Sequence, residues 1–306
     1  MKKNKKKEKN NNIKKIALLP KYIIIGTKTF FSEEKQKKLE LEDKIIPIII
    51  STLSIITYLI CIFLLTRWFV QNSRNQNFSE KLTKDITTIT EKENNNNTNF
   101  KKNKTTYNYK YPDDLSFLNV DLNPYLKINS ETVAWLQVNG TIISYPVVKH
   151  KDNSFYLNHD FYKRKTDVGA IFADYRNNFD ELDDNTIIYG HNIINGTMFG
   201  QLPRVLRKNW QSNQNYHYIK LSTKKTNTIW KIFSTYEIEP TIDYLQTIFN
   251  STETYNQFIN LIKKRSTYNF ETEVEIDDKI ITLSTCNNTG NKRVVVHAKL
   301  INLEKK

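Results

Sequence analysis

Apolar residues follow two kinds of pattern along this chain of 306 residues. The first is continuous. Ile45 to Thr66 carries no charge, is rich in Ile and Leu, and lies between Lys44 and Arg67. About 20 apolar residues span a bilayer core, so this run predicts a transmembrane helix. Pro47 falls in its first turn, where a missing N–H does no harm. Trp68 and Phe69 follow, where aromatic rings favour the membrane interface. The second pattern is short and alternating. Thr132–Val138, Ile142–Val148, Gly169–Ala173, Thr186–Tyr189, Tyr216–Leu221, Thr228–Glu237, Lys279–Ser284 and Val294–Ile301 read as strands. Thr252–Lys264 has helical spacing, with Tyr255, Phe258, Ile259 and Ile262 on one face. Asp114–Leu122 and Asn123–Asn129 read as short helical pieces. Eight strands with few helices predict a mostly β fold, a largely antiparallel barrel with helical insertions.

Charge and polarity divide the chain further. Residues 1–44 hold 14 Lys against 6 acids, a large part of the net charge of +14. A basic flank keeps its side of a span cytoplasmic. Residues 1–44 are therefore expected to be a basic cytoplasmic tail and 45–66 a single-pass anchor in the plasma membrane. The basic tail reads as topology with added attraction to anionic lipid, and no nucleic-acid partner is assigned. A cleaved signal peptide is disfavoured, because Arg67-Trp68-Phe69-Val70-Gln71 offers no small-residue cleavage site. Residues 71–111 are polar and include Asn94-Asn95-Asn96-Asn97, which reads as a stalk. The folded domain is expected over 112–306, outside the cell.

Two cysteines exclude a disulfide scaffold and a multi-Cys zinc site. Glu271, Glu273 and Glu275 read as one solvated strand face. No metal site and no cofactor are assigned. Cys61 lies in the span, so Cys286 is the lone thiol of the exported part. An unpaired exported Cys points to a reactive thiol or an intermolecular bridge, with an inert buried Cys as the plain alternative. Strand Lys279–Ser284, turn cluster Asn287–Asn291 and strand Lys292–Val296 make a hairpin that sets Cys286 near Arg293. A guanidinium there favours the thiolate and can hold a developing oxyanion.

A thiol nucleophile also needs a proton carrier. His150 sits in a Lys-His-Lys turn, His159 in a loop, and His217 between two tyrosines on a strand surface. His297 is four residues from Arg293 on the same strand, roughly 13 Å away. His191 ends the strand Thr186–Tyr189 and opens a polar turn, so it is the best candidate. Ninety-five residues separate it from Cys286, and spacing alone does not join them.

Thr282-Leu283-Ser284-Thr285-Cys286, Lys292-Arg293-Val294-Val295-Val296 and Tyr189-Gly190-His191-Asn192 together resemble the sortase transpeptidases. Trp135-Leu136, Ile143–Val148, Phe155-Tyr156-Leu157, Gly169–Asp174 and Thr197–Gly200 fall in the matching order. The Trp135 region, the helix before the cysteine strand and Ser284-Thr285 are most similar to class B. The resemblance implies an eight-stranded sortase-type barrel and a membrane-anchored cysteine transpeptidase. It implies that Cys286 attacks a sorting motif of a surface protein, that His191 moves the proton and that Arg293 holds the oxyanion. The acyl group would pass to an amine of the cell-wall peptidoglycan precursor, as in a Gram-positive bacterium. Leu157, Tyr244, Leu245 and Ser284 match substrate-groove positions. The short Cys286–Arg293 loop, with Asn287-Asn288 where acids often occur, departs from the pattern. Two other readings stay open: a non-catalytic surface binding or signalling protein, and a cysteine protease that resolves the thioester with water.

Overall fold

The computed structural model describes residues 45–70, 73, 115–286 and 292–306. The expected tail, nearly all of the expected stalk and the turn Asn287–Asn291 lie outside the described residues. The chain divides into two units, 1–70 and 71–306.

In the first unit, α1 (Ile45–Val70) is a helix of 26 residues, long and apolar enough to cross a membrane. It runs four residues past the expected end at Thr66. Its length is about 39 Å at 1.5 Å per residue. Thr52, Thr57 and Thr66 donate their hydroxyls to the carbonyls of Ile49, Ser54 and Phe63. These side chains thus find partners within the helix, as an apolar surrounding demands.

The second unit is a closed barrel. Its strands are β1 (Thr132–Val138), β2 (Ser144–Val148), β3 (Phe172–Ala173), β4 (Asn185–His191), β5 (Tyr218–Thr223), β6 (Thr226–Ile238), β7 (Ile280–Cys286) and β8 (Arg293–Lys305). Their order around the barrel is β1-β2-β3-β4-β7-β8-β6-β5. The pairs β2–β3 and β4–β7 are parallel; the other pairs are antiparallel.

Alternation along the strands sends Ala134, Leu136, Ile188, Leu221, Trp230, Ile281, Leu283 and Val296 into one core. Neighbouring positions face outward, yet many are buried as well. Trp135, Val148, Phe172, Ile187 and Tyr189 lie under a second apolar layer that includes Leu118, Val120, Tyr125 and Tyr156. Val295, Phe233 and Tyr236 lie under α4 (Thr252–Lys264), which buries Tyr255, Phe258, Ile259 and Ile262. Ser251 caps this helix: its Oγ accepts from Thr254 N while Thr254 Oγ1 receives Ser251 N. Being covered on both faces, the strands read as nearly continuous apolar runs.

Short helices α2 (Asn123–Ile128) and α3 (Lys208–Gln211) and three 3-10 turns (Phe155–Leu157, Leu202–Leu206 and Gln214–Tyr216) complete the described regular structure. Residues 115–122 form no helix, contrary to expectation. Leu118, Val120 and Leu122 are buried while Asn119 and Asp121 are exposed, which is the two-residue period of extended chain. β3 is shorter than expected. Gly169 takes φ +64, a left-handed conformation that cannot continue a strand. Residues 271–275 are also irregular, so the three glutamates do not share a strand face.

Candidate functional site

The parallel pairing of β4 with β7 brings together two segments far apart in sequence. Its register sets Ile187 beside Thr282, Tyr189 beside Ser284, and His191 beside Cys286. On the other edge of β7, β8 sets His297 beside Thr282 and Val295 beside Ser284. The paired register of β7 with β8 ends at Ser284 and Val295, and Arg293 opens β8 two residues beyond it. His191 and Cys286 are thus neighbours on adjacent strands, which lie about 4.8 Å apart. They stand where β4 and β7 end, with Arg293 where β8 begins.

His191 is held on several sides. Its Nε2 donates to the Leu157 carbonyl at 2.7 Å, and its own carbonyl accepts from Phe199 N at 3.0 Å. Gly169 closes the pocket around the ring. A Cβ there would come within 3.0 Å of His191 Cδ2 and 2.5 Å of the Tyr156 carbonyl. Ala170 N donates to that same carbonyl at 3.0 Å, fixing the two segments together. Arg293 is partly buried and pairs with Ile238 at the end of β6.

The other four histidines are engaged elsewhere. His150 Nδ1 lies 3.0 Å from Glu131 Oε1 and is half-buried, where an exposed turn was expected. His159 bonds the Phe155 carbonyl at 2.9 Å and stacks on that ring. His217 was expected on a strand surface and is instead buried. It donates to the Gln211 carbonyl at 2.8 Å and sits among Trp210, Tyr268 and Phe270. Burial lowers its pKa.

His297 is fully buried and fully bonded. Thr282 Oγ1 donates to Asn185 Oδ1 at 2.7 Å. The 2.8 Å contact of His297 Nδ1 with that hydroxyl must therefore carry the ring proton. Nε2 then accepts from Tyr236 OH at 2.8 Å. Desolvation, with a smaller push from the Arg265 charge, lowers its pKa to about 3.

The groove positions divide. Leu157 and Leu245 reach the surface, and both border the layer built on Phe172, Ile187 and Tyr189. Tyr244 and Ser284 are completely buried and bond each other, OH to Oγ, at 3.0 Å. They lie beneath the surface, unlike the two leucines.

The sequence reading missed Asp174 and Arg176. The Asp174 carboxylate is buried. Burial raises its pKa, but bonds from Arg176, Tyr189 and Asn153 outweigh that and hold it below the usual range. An Asp-x-Arg pair closing an apolar strand was the available signal.

A Sortase domain model matches residues 136–301. Sortase B of Listeria monocytogenes serovar 1/2a is 36% identical over 185 residues, covering 59% of this chain and 74% of its own. Sortase B of Staphylococcus aureus is also 36% identical, over 178 residues, covering 57% and 72%. Among solved structures, a Staphylococcus aureus sortase B–substrate complex matches with a TM-score of 0.56 at 35% identity, covering 59% of this chain and 84% of that one. The chain belongs to the sortase family. Within it the chain falls in class B, which makes it a cysteine transpeptidase that anchors surface proteins.

Proposed function

We propose that Cys286, His191 and Arg293 carry the reaction, on a substrate bound against Leu157 and Leu245. The pairing of His191 beside Cys286 across β4 and β7 carries this reading, with Arg293 at the start of the adjacent β8. The Cys286 thiolate attacks the carbonyl carbon of the scissile peptide bond in a sorting motif. Arg293 donates hydrogen bonds to the oxyanion that forms. With Nε2 of His191 committed to a carbonyl, Nδ1 is the proton-carrying nitrogen. It protonates the departing amine as the C–N bond breaks, leaving a thioacyl enzyme. An amine of the cell-wall precursor then gives its proton to His191 and attacks the thioester, and the sulfur leaves as thiolate. Tyr244 and Ser284 support the groove from beneath.

In this reading α1 anchors the protein in the plasma membrane, with residues 1–44 cytoplasmic and 71–111 a spacer. Residues 112–306 are the extracellular catalytic domain. The length and apolar character of α1 support the anchor, and the excess of lysines before it supports the orientation. Anchoring places donor and lipid-linked acceptor in one layer and raises their encounter.

The test is a peptide-library cleavage assay on residues 71–306, with mass spectrometry of products formed with and without added amines. Amide products that appear only with amine, and vanish in Cys286→Ala, are expected. Purely hydrolytic products would replace transfer with proteolysis.

A further inference from the structure

Residues 243–247 have no regular secondary structure, yet each is tied by a bond from elsewhere. Asp243 takes both Arg265 amino groups, at 2.5 and 2.9 Å. Tyr244 meets Ser284. The Leu245 carbonyl accepts from Arg176 Nη2 at 2.8 Å. The Gln246 carbonyl accepts from Asn185 Nδ2 at 2.8 Å, and the Thr247 carbonyl from Asn185 N at 3.2 Å. The shape of this segment is therefore imposed from outside.

Arg176 differs from the other ties in what it joins. Asp174 Oδ1 accepts its Nε at 2.8 Å, and Oδ2 accepts its Nη2 at 2.8 Å. The same Oδ2 accepts Tyr189 OH at 2.9 Å and Asn153 Nδ2 at 2.9 Å. Tyr189 lies two residues before His191 on β4. A two-point grip on a buried carboxylate fixes the plane of the guanidinium. The second N–H of Nη2 is then aimed at Leu245. A lysine in this place keeps the charge but lacks the planar fork that makes both bonds at once.

We propose that Arg176 is a positioning residue for the acyl donor: it holds the Leu245 wall of the groove in register with the strand that carries His191. This rests on the reading of Leu245 as a groove residue given above. Arg176 touches no reacting atom, so it acts on donor binding and not on the thiol.

The test compares Arg176→Lys, Leu245→Ala and their combination in the 71–306 protein. Arg176→Lys leaves Asp174 with a charge partner, so the fold is kept; the pair Asp174→Asn with Arg176→Met serves as a second variant free of a stranded buried charge. The readouts are KM and kcat for a cleavable sorting peptide, the pH profile of Cys286 alkylation by iodoacetamide, and the melting temperature. Losing a charge-assisted bond predicts a KM about tenfold higher in Arg176→Lys, with an unaltered alkylation profile. The combined variant should show no rise beyond that of the larger single change, because both act through one contact. A KM within twofold of wild type in both Arg176 variants, with Leu245→Ala raising it, would overturn the positioning role and leave the groove reading intact. If Leu245→Ala leaves KM unaltered, both fall. A lowered melting temperature and lowered kcat at constant KM would reduce Arg176 to a stability role.

Discussion

Two rows cross the same three strands, β4, β7 and β8, and each contains a histidine. The outer one holds His191 beside Cys286, with Arg293 at the start of β8; the other is Ile187–Thr282–His297, four residues back along each strand. The separation is about 13 Å. His297 has both ring nitrogens satisfied, one by Thr282 and one by Tyr236, under the cover of α4. Burial leaves it neutral to about pH 3. His191 lies at a strand end, with Nε2 on a backbone carbonyl and loops leaving beside it. Residue type does not separate the two histidines. The distance from the end of the sheet does. His297, enclosed and held neutral, is unsuited to carry a proton, and the proposed mechanism gives that task to the outer row.

The largest effect expected from breaking this contrast is at Cys286. Cys286→Ala should end thioacyl formation with a sorting peptide, and His191→Ala should lower kcat by a comparable factor, about 10³-fold or more, because nucleophile and proton carrier act as a unit. Mass spectrometry of the trapped acyl enzyme checks both; a thioacyl adduct in Cys286→Ala would remove the outer row from the mechanism.

Next comes Gly169→Ala. Its Cβ would press on the Tyr156 carbonyl and on the His191 ring, at a φ of +64. Displacing a catalytic group by about 1 Å costs roughly 100-fold, so kcat should fall by about that factor. A crystal structure of the variant with the His191 ring unmoved, together with a wild-type kcat, would show that the wall is dispensable. Arg293→Lys should also be poor, by about tenfold or more in kcat/KM, because a point charge does not copy the planar fork.

The inner row sharpens the comparison through pH. Unfolded His297 takes a proton near 6.5, whereas the folded residue stays neutral to about 3. Below 6.5 the unfolded state binds more protons, so stability falls as pH falls. Between pH 7 and pH 5 this one group should remove about 2 kcal/mol. His217 is shifted in the same direction. His297→Gln should be less stable at pH 7 but lose less between pH 7 and 5, read from urea midpoints. An unaltered difference would mean that the inner row titrates freely after all. The smallest effect is expected from Tyr244→Phe, which deletes one buried hydrogen bond and should cost about 1 kcal/mol of stability, measurable in the same urea titration.

The local parts of this architecture were readable from the chain. β1 matches its alternating run, and α4 matches both its apolar face and its boundaries. The expected hairpin is present as the antiparallel pairing of β7 with β8, while its turn lies outside the described residues. The placing of His191 beside Cys286 was not readable from local pattern, because it depends on a parallel pairing between strands far apart in sequence. His217 was misread for a similar reason: its cover comes from Trp210, Tyr268 and Phe270, and two flanking tyrosines say nothing about that. Residues 115–122 were misread although Leu118, Val120 and Leu122 already showed a period of two. The Asp174–Arg176 tie was invisible in purpose, since the carbonyl it serves lies at Leu245.

The parallel pairing of β4 with β7 also governs when reactivity can arise. As the chain is made, β4 emerges well ahead of β7, and contacts of such long sequence separation form late and slowly. In the mechanism proposed above, Cys286 lacks His191 beside it until the barrel closes. On that proposal a half-made chain would be unable to run the transfer, which would wait for the last strands to dock.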